Sequence, residues 1–360
     1  MEEQIKCPFF SIIMPTYNVE AYIGHAIRSI REQSYGDWEI VVVDDCSTDN
    51  SAGVVEQFME EDRRIRMVRH RENRGLSAAR NTGILEAKGE YIWFMDPDDY
   101  VDSVLLEKVK ASLEENPAEV VLFGLVEEYY NKDGSLEYTN SIIPQELLCH
   151  EQVQLRKSVI HLEQQTLYGY AWNKIYKLDY IKKQNIFFED VRLIEDIVFN
   201  TTVFAEIKGL NLLAFAPYHY AKRLGANLTN KFVPEYFELH RRRIELLYHQ
   251  HVEWNLCTAN VRQILGSLYG RYILSALERN CDRRANMSMS DRFFWCKKLF
   301  AQELFEILIP GAKARDSRVL RIALSVLKMK NPVLCMMMGR GIHIIRTGLP
   351  TLYSKTKSGR

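Results

Sequence analysis

The stretch EYIWFMDPDDY, residues 90–100, runs apolar, strand-forming residues straight into three carboxylates, Asp96, Asp98 and Asp99. Carboxylates that close repel one another unless a positive partner lies among them. A D-x-D pair leaving a strand can offer two hard oxygen ligands to Mg²⁺ or Mn²⁺, and such an ion can bridge the phosphates of a nucleotide. The plainer reading is an acidic turn before a helix, a task for which Asp102 is already in place.

Outward from this turn, short β-branched runs recur at 9–14, 39–44, 65–70, 90–95 and 119–126. Between them lie apolar residues at helical spacing, such as Ala21, Ile23, Ala26, Ile27 and Ile30, then Val54, Val55, Phe58 and Met59. Strands alternating with helices predict an α/β fold with a mostly parallel sheet flanked by helices. Ligands of such sheets bind at the carboxyl ends of the strands. Three of those ends are polar: MPTYN (14–18), DDCSTDNS (44–51) and DPDD (96–99). Ser47, Thr48 or Asp49 can equally cap the following helix. Beyond about residue 150 helical periodicity dominates, at 195–206, 234–254, 256–281 and 291–308, with one strand-like run at 210–220. This predicts a sheet domain over 1–232 and a helical region over 233–360.

With 360 residues, 47% of them hydrophobic, the chain can bury a substantial core. Lys+Arg and Asp+Glu balance at 47 each, so bulk charge points to no nucleic-acid partner. The seven cysteines are scattered without a C-x-x-C, which indicates neither a disulfide framework nor a zinc site and fits a reducing, cytoplasmic compartment. No leader is expected at the acidic start, and no apolar run reaches the roughly 20 residues of a spanning helix. From Lys313 to the end Asp316 is the only carboxylate, against many Lys and Arg. The segment 318–349 mixes that basic charge with apolar faces, which fits either a helix at an anionic membrane surface or a basic packing helix.

SIIMPTYN (11–18), IVVVDDCSTDNS (40–51), NRGLSAARNTGILEAKGEYIWFMDPDD (73–99), YAWNKIYKLDYI (170–181) and IEDIVFN (194–200) together resemble the inverting family-2 glycosyltransferases with a GT-A fold. The blocks follow the family's order. The resemblance implies that Pro15 and Tyr17 lie along the nucleoside and that Asp45 hydrogen-bonds the uracil. It places Asp96 near the ribose, Asp98 on the metal, and Asn73, Gly75 and Arg80 in the block lining the nucleotide pocket. Gly75 can also serve a turn, and Arg80 can instead pair internally with Asp44 or Asp45. Two acids opening a helix, Glu195 and Asp196, suit its dipole; in the family the Asp of such a pair is the general base, which assigns that role to Asp196. PYHYAKRLGANLT (217–229) resembles the segment that closes over the diphosphate, with Lys222 or Arg223 as a phosphate partner and His219 as a further metal ligand or a packed residue. Asn227 stands where relatives often carry Ser. Trp172 and Asn173 are expected on the acceptor side, or Trp172 in the core.

A phosphohydrolase with a nucleophilic Asp would carry its D-x-D after the first strand, and a dinucleotide-dependent dehydrogenase would need G-x-G-x-x-G there; PTYNVEAYIG supplies neither. A non-catalytic glycosyltransferase-like protein would be expected to have lost the D-x-D or the base, and both are present. The expectation is therefore a Mn²⁺- or Mg²⁺-dependent inverting transferase using a nucleotide sugar, with UDP as the nucleotide. Its acceptor would be a saccharide or lipid-linked hydroxyl in surface polysaccharide assembly at the inner face of the cell membrane.

Overall fold

The computed structural model describes residues 7–131, 133–223, 232–314 and 317–348. The chain divides into two compact units, Met1–Asn230 and Lys231–Arg360.

The first unit is built on one ten-stranded mixed sheet. Its strands are β1 (Phe10–Thr16), β2 (Trp38–Asp44), β3 (Ile65–Arg69), β4 (Tyr91–Phe94), β5 (Tyr100–Val101), β6 (Val120–Tyr130), β7 (Leu136–Ile142), β8 (Leu147–Cys149), β9 (Lys174–Lys177) and β10 (Leu210–Arg223). The main path runs β3-β2-β1-β4-β9-β6-β10-β5. β3, β2, β1 and β4 run parallel to one another. Every residue of β1 and β2 is buried, as a sheet covered on both faces requires. The helices between them are α1 (Ile23–Arg31), α2 (Ser51–Glu61), α3 (Leu76–Glu86) and α4 (Leu105–Glu115). α1 turns Ile23, Ala26, Ile27 and Ile30 inward, a stripe at 3.6 spacing. Burying each of its isoleucines is worth about 1.5–3 kcal/mol.

Two features of the path position the site. The chain builds outward from β1 to β3 and then returns to place β4 on the other side of β1, so the order reverses between β1 and β4 and opens a crevice at their carboxyl ends. β9 then runs antiparallel between β4 and β6, pairing Trp93 with Ile175 and Leu122 with Lys174. The start of β9 therefore lies at the carboxyl end of β4, which brings the loop before it to the acidic turn. The sequence pattern shows β10 but not β9, because four residues, KIYK, are too short and too charged to register as a strand. The remaining helices of this unit are α5 (Gln152–Gln164), α6 (Leu178–Lys183) and α7 (Glu195–Phe204).

Two expected caps are not used. α2 begins at Ser51 with no side-chain bond from the residue before it, and Asp49 instead accepts from the Ser51 amide and hydroxyl. α4 begins three residues beyond Asp102, without a side-chain cap, and the Asp102 carboxylate turns to His219.

The second unit comprises α8 (Tyr236–Glu253), α9 (Ala259–Arg279), α10 (Met289–Phe300), α11 (Glu303–Leu308), α12 (Arg318–Lys328) and α13 (Pro332–Gly348). α9 is its central helix, touched by α8, α11, α12 and α13. Buried Glu278 on α9 ties down α13 through Arg346 at 2.5 Å and His343 at 2.9 Å. No helix among the described residues is long and apolar enough to cross a membrane.

Candidate active site

At the crevice the loops after β1 and β2 are knitted together. Asn18 and Cys46 both sit at positive φ, 52° and 63°. The Asn18 side chain accepts from the Thr48 amide at 2.8 Å, and the Val19 amide donates to Ser51 Oγ at 2.8 Å. Left-handed non-glycine residues in both loops mark strain of the kind found at ligand sites. Pro15 is buried inside β1, whereas Tyr17 just beyond it is 47% exposed over the crevice loop.

Asp45 is buried, and both its oxygens are engaged: Oδ1 with the His70 ring at 2.6 Å and the Arg74 amide at 2.9 Å, Oδ2 with the Gly75 amide at 2.7 Å. It braces the turn that carries exposed Asn73 into α3. Gly75 adopts φ +87° with open space around a Cβ, so backbone conformation rather than crowding selects glycine there.

The acidic turn finds its protein partner in Arg80 of α3. This fully buried guanidinium lies 2.5 Å from Asp196, 3.3 Å from Asp96 and 3.7 Å from Glu195. The internal pairing expected with Asp44 or Asp45 is thus replaced: Asp44 pairs with Arg69 at 3.0 Å. Burial alone would weaken the hold of Arg80 on its proton, but the Asp196, Asp96 and Glu195 carboxylates more than reverse this. Burial pushes the Asp96 carboxyl up to about 6, with Arg80 opposing and Asp98 and Asp196 adding to the rise. Burial and then Asp196 push Glu195 up to about 7.

Asp196, in the first turn of α7, is held from two sides: Oδ1 accepts from Arg80 and Oδ2 from the Ala171 amide at 3.0 Å. Asp99 points inward, accepting from the Tyr218 hydroxyl at 2.8 Å and the Ala221 amide at 3.0 Å, so it fastens the turn to β10. Burial, reinforced by Asp98 and Asp96, holds it well above the usual carboxylate range. Asp98 faces outward, its side chain 40% exposed and 3.9 Å from Arg223. Arg223 also donates to the Asp98 carbonyl and lies over the ring of Tyr22, 4.1 Å from its centroid. Lys222 is instead committed to Glu127 and the Tyr129 hydroxyl.

His219 does not join the acidic turn. Successive strand residues point to opposite faces, and Tyr218 takes the side toward Asp99. His219 stacks on Tyr100 at 4.3 Å, with its two nitrogens 2.9 Å from Glu128 and 3.2 Å from Asp102. The expectation of His219 as a metal ligand is corrected accordingly. Among the described residues no three His, Cys, Asp or Glu side chains form a metal cage. Outward-facing Asp98, with the part-exposed oxygens of Asp96 beside it, still suits Mg²⁺ or Mn²⁺, which is commonly held by one or two carboxylates plus substrate phosphates and water.

Trp172 is buried, stacked between Tyr170 (4.5 Å) and Tyr218 (4.4 Å), and its neighbour Asn173 is fully buried. Asn227 lies outside the described residues, as does the tail beyond residue 348. The bridging role of Arg80, the tie between Asp99 and Tyr218 and the bracing by His70 went unread in the sequence, because each partner lies far away along the chain.

Comparison with known proteins agrees with this arrangement. The model of glycosyl transferase family 2 matches residues 11–171. The glycosyltransferase EpsJ of Bacillus subtilis is 33% identical over 217 residues, 59% of this chain and 61% of that protein. The poly(ribitol-phosphate) beta-N-acetylglucosaminyltransferase TarS of Staphylococcus aureus is 29% identical over 233 residues, 63% of this chain and 38% of that protein. The matches thus span less than two thirds of either relative's length. The crystal structure of S. aureus TarS 1-349 in complex with UDP-GlcNAc shares the fold, with a TM-score of 0.65 at 22% identity, covering 94% of this chain and 92% of that one. The ordered motifs, the sheet with its crevice and the family match agree: residues 11–171 form a domain matching glycosyl transferase family 2.

Proposed function

We propose that the chain moves a hexose or N-acetylhexosamine from a UDP-sugar to a hydroxyl of a saccharide or lipid-linked acceptor, with inversion at the anomeric carbon. The observation that carries this reading is the buried bridge through Arg80, which joins Asp96 of the acidic turn to Asp196 of α7 at one crevice. It couples a donor-side carboxylate to a base. The match to a relative named as an N-acetylglucosaminyltransferase favours an N-acetylhexosamine donor.

In this reading Asp196 takes the proton of the acceptor hydroxyl as its oxygen attacks the anomeric carbon, and the bond to UDP breaks with its electron pair leaving on the diphosphate. The two hydrogen bonds on Asp196 orient it for that transfer. A divalent cation held by Asp98 would supply neutralising charge for the leaving diphosphate, and Arg223 adds a fixed positive charge at the same turn. Tyr17 offers an exposed ring for the nucleoside. The sheet unit carries donor binding and catalysis, and the helical unit attaches to an anionic membrane surface at the inner face of the cell membrane, where a lipid-linked acceptor would lie. Supporting that attachment, α12, α13 and the turn between them expose Val319, Ile322, Met329, Val333, Met337, Ile344 and Ile345 beside Arg and Lys, with no acidic residue in 317–348.

The test is a panel of nucleotide sugars with Mn²⁺ and the purified chain, scoring nucleotide release. UDP release from a UDP-N-acetylhexosamine in preference to GDP- or dTDP-sugars is expected. Failure to bind or turn over any donor, with the fold intact, would overturn the reading.

A further inference from the structure

Lys174, the first residue of β9, is fully buried. It donates to the carbonyls of Leu167 (2.9 Å), Tyr168 (3.0 Å) and Tyr170, and to Asn173 Oδ1 (2.9 Å). Asn200, on α7 and also fully buried, works on the same loop: its amide nitrogen donates to the carbonyls of Tyr168 (3.1 Å), Gly169 (3.3 Å) and Tyr170 (3.0 Å). Its own oxygen accepts from the Tyr176 hydroxyl at 2.8 Å. A buried ammonium is costly unless polar groups surround it, and the loop's own carbonyls, turned inward, are among those that do.

Four consecutive carbonyls, 167 to 170, are thus drawn to two side chains, and the last of these peptides presents its N–H, that of Ala171, to Asp196. The Trp172 carbonyl accepts from the Trp93 indole at 2.7 Å, which ties the loop to β4. The cradle therefore sets the direction of the single backbone donor on Asp196 Oδ2. Asn200 and Asp196 lie four residues apart on one helix, so the helix that carries the base also carries half of the clamp on the loop that orients it.

We infer that Lys174 and Asn200 are positioning residues for the reaction, clamping loop 167–173 so that the Ala171 N–H fixes the Asp196 carboxylate toward the acceptor hydroxyl. The inference rests on the reading of Asp196 as base. Lys174→Met removes the charge at nearly equal length, and the measurement is kcat and the donor KM with UDP-GlcNAc, or with the sugar nucleotide turned over best, in wild type, K174M, D196N and the double variant. The expected result is a fall in kcat of roughly 10- to 100-fold, on the scale of a small misplacement of a reacting group, with the donor KM changed less than about twofold. In the D196N background K174M is expected to add no further loss, because its effect runs through the base. A purely structural role would instead lower kcat equally in both backgrounds, and full activity of folded K174M would also overturn the inference. If D196N transfers at the wild-type rate, the reading of the base falls first, which separates the two failures. Should K174M not fold, Asn200→Ser decides the matter: loss of kcat at unchanged donor KM supports the clamp, and wild-type kcat overturns it.

Discussion

The crevice of the sheet unit and the α12–α13 pair of the helical unit treat charge in opposite ways. At the crevice, charges are buried and each meets a specific partner: Arg80 with Asp96 and Asp196, Lys174 with four oxygens, Asp99 with Tyr218. On α12 and α13, Arg318 and Arg340 sit exposed among exposed apolar side chains, Ile322 at 65% and Met337 at 66% exposure. Buried charge in a low-dielectric setting is strong and directional, so it fixes geometry; exposed charge is screened and acts by number. In the proposed function the first region orients a reaction, and the second presents a surface.

The largest effect should come from separating the two carboxylates that Arg80 joins. Asp196→Asn should leave UDP binding intact and lower transfer by about 10²- to 10⁴-fold, the usual worth of a general base, whereas Asp98→Ala should abolish metal-dependent UDP binding. Calorimetric titration of UDP with and without Mn²⁺, beside transfer kinetics, checks this; equal loss of binding in both variants would erase the division of labour. Next in size is Arg80→Met, which strands Asp96, Glu195 and Asp196 facing one another. Breaking a buried ion pair from one side costs about 3–5 kcal/mol, so thermal or urea unfolding should show a clearly destabilised protein, while the same change at exposed Arg318 should be almost silent.

On the helical side, replacing Arg318 and Arg340 by Gln removes two exposed charges worth about 1 kcal/mol each at an anionic surface. Co-sedimentation with vesicles containing phosphatidylserine should weaken by roughly thirtyfold in partition coefficient and should be salt-sensitive in the wild type. Unchanged sedimentation would leave α12 and α13 as packing helices alone.

The smallest effect is a slope in pH. The folded values of Asp96 (about 6) and Glu195 (about 7) lie above their ordinary values of 3.8 and 4.5. The folded state therefore holds their protons more tightly, and their contribution to stability is full below about pH 4 and lost as pH rises through 6 to 7. Arg80, Asp196 and Asp96 are the charged groups facing Glu195. Glu195→Gln should flatten the fall of melting temperature between pH 4.5 and 7.5; a slope identical to wild type would show that Glu195 does not titrate in that range.

Much of this arrangement was readable along the chain. The alternating runs predicted β1 to β4, β6 and β10, the helices α1, α2 and α7 to α9, and one helical run at 291–308 that the structure divides into α10 and α11. The mixed character of the sheet was not readable, since β5, β8 and β9 carry too few residues to signal a period and the seven-residue β7 is polar and almost wholly exposed. His219 misled for a related reason. Its type suits a metal, but strand alternation gave the inward face to Tyr218.

By itself the sequence determined the family, the order of its blocks and which strand ends are polar, because local pattern and residue type suffice for these. Only the tertiary structure decided which charges meet. Arg80 and Asp196 are 116 positions apart, and Ala171 and Asp196 are 25 apart. Pairs at such separations come together through strand order and loop path, where a buried charge must find its partner or not be buried at all.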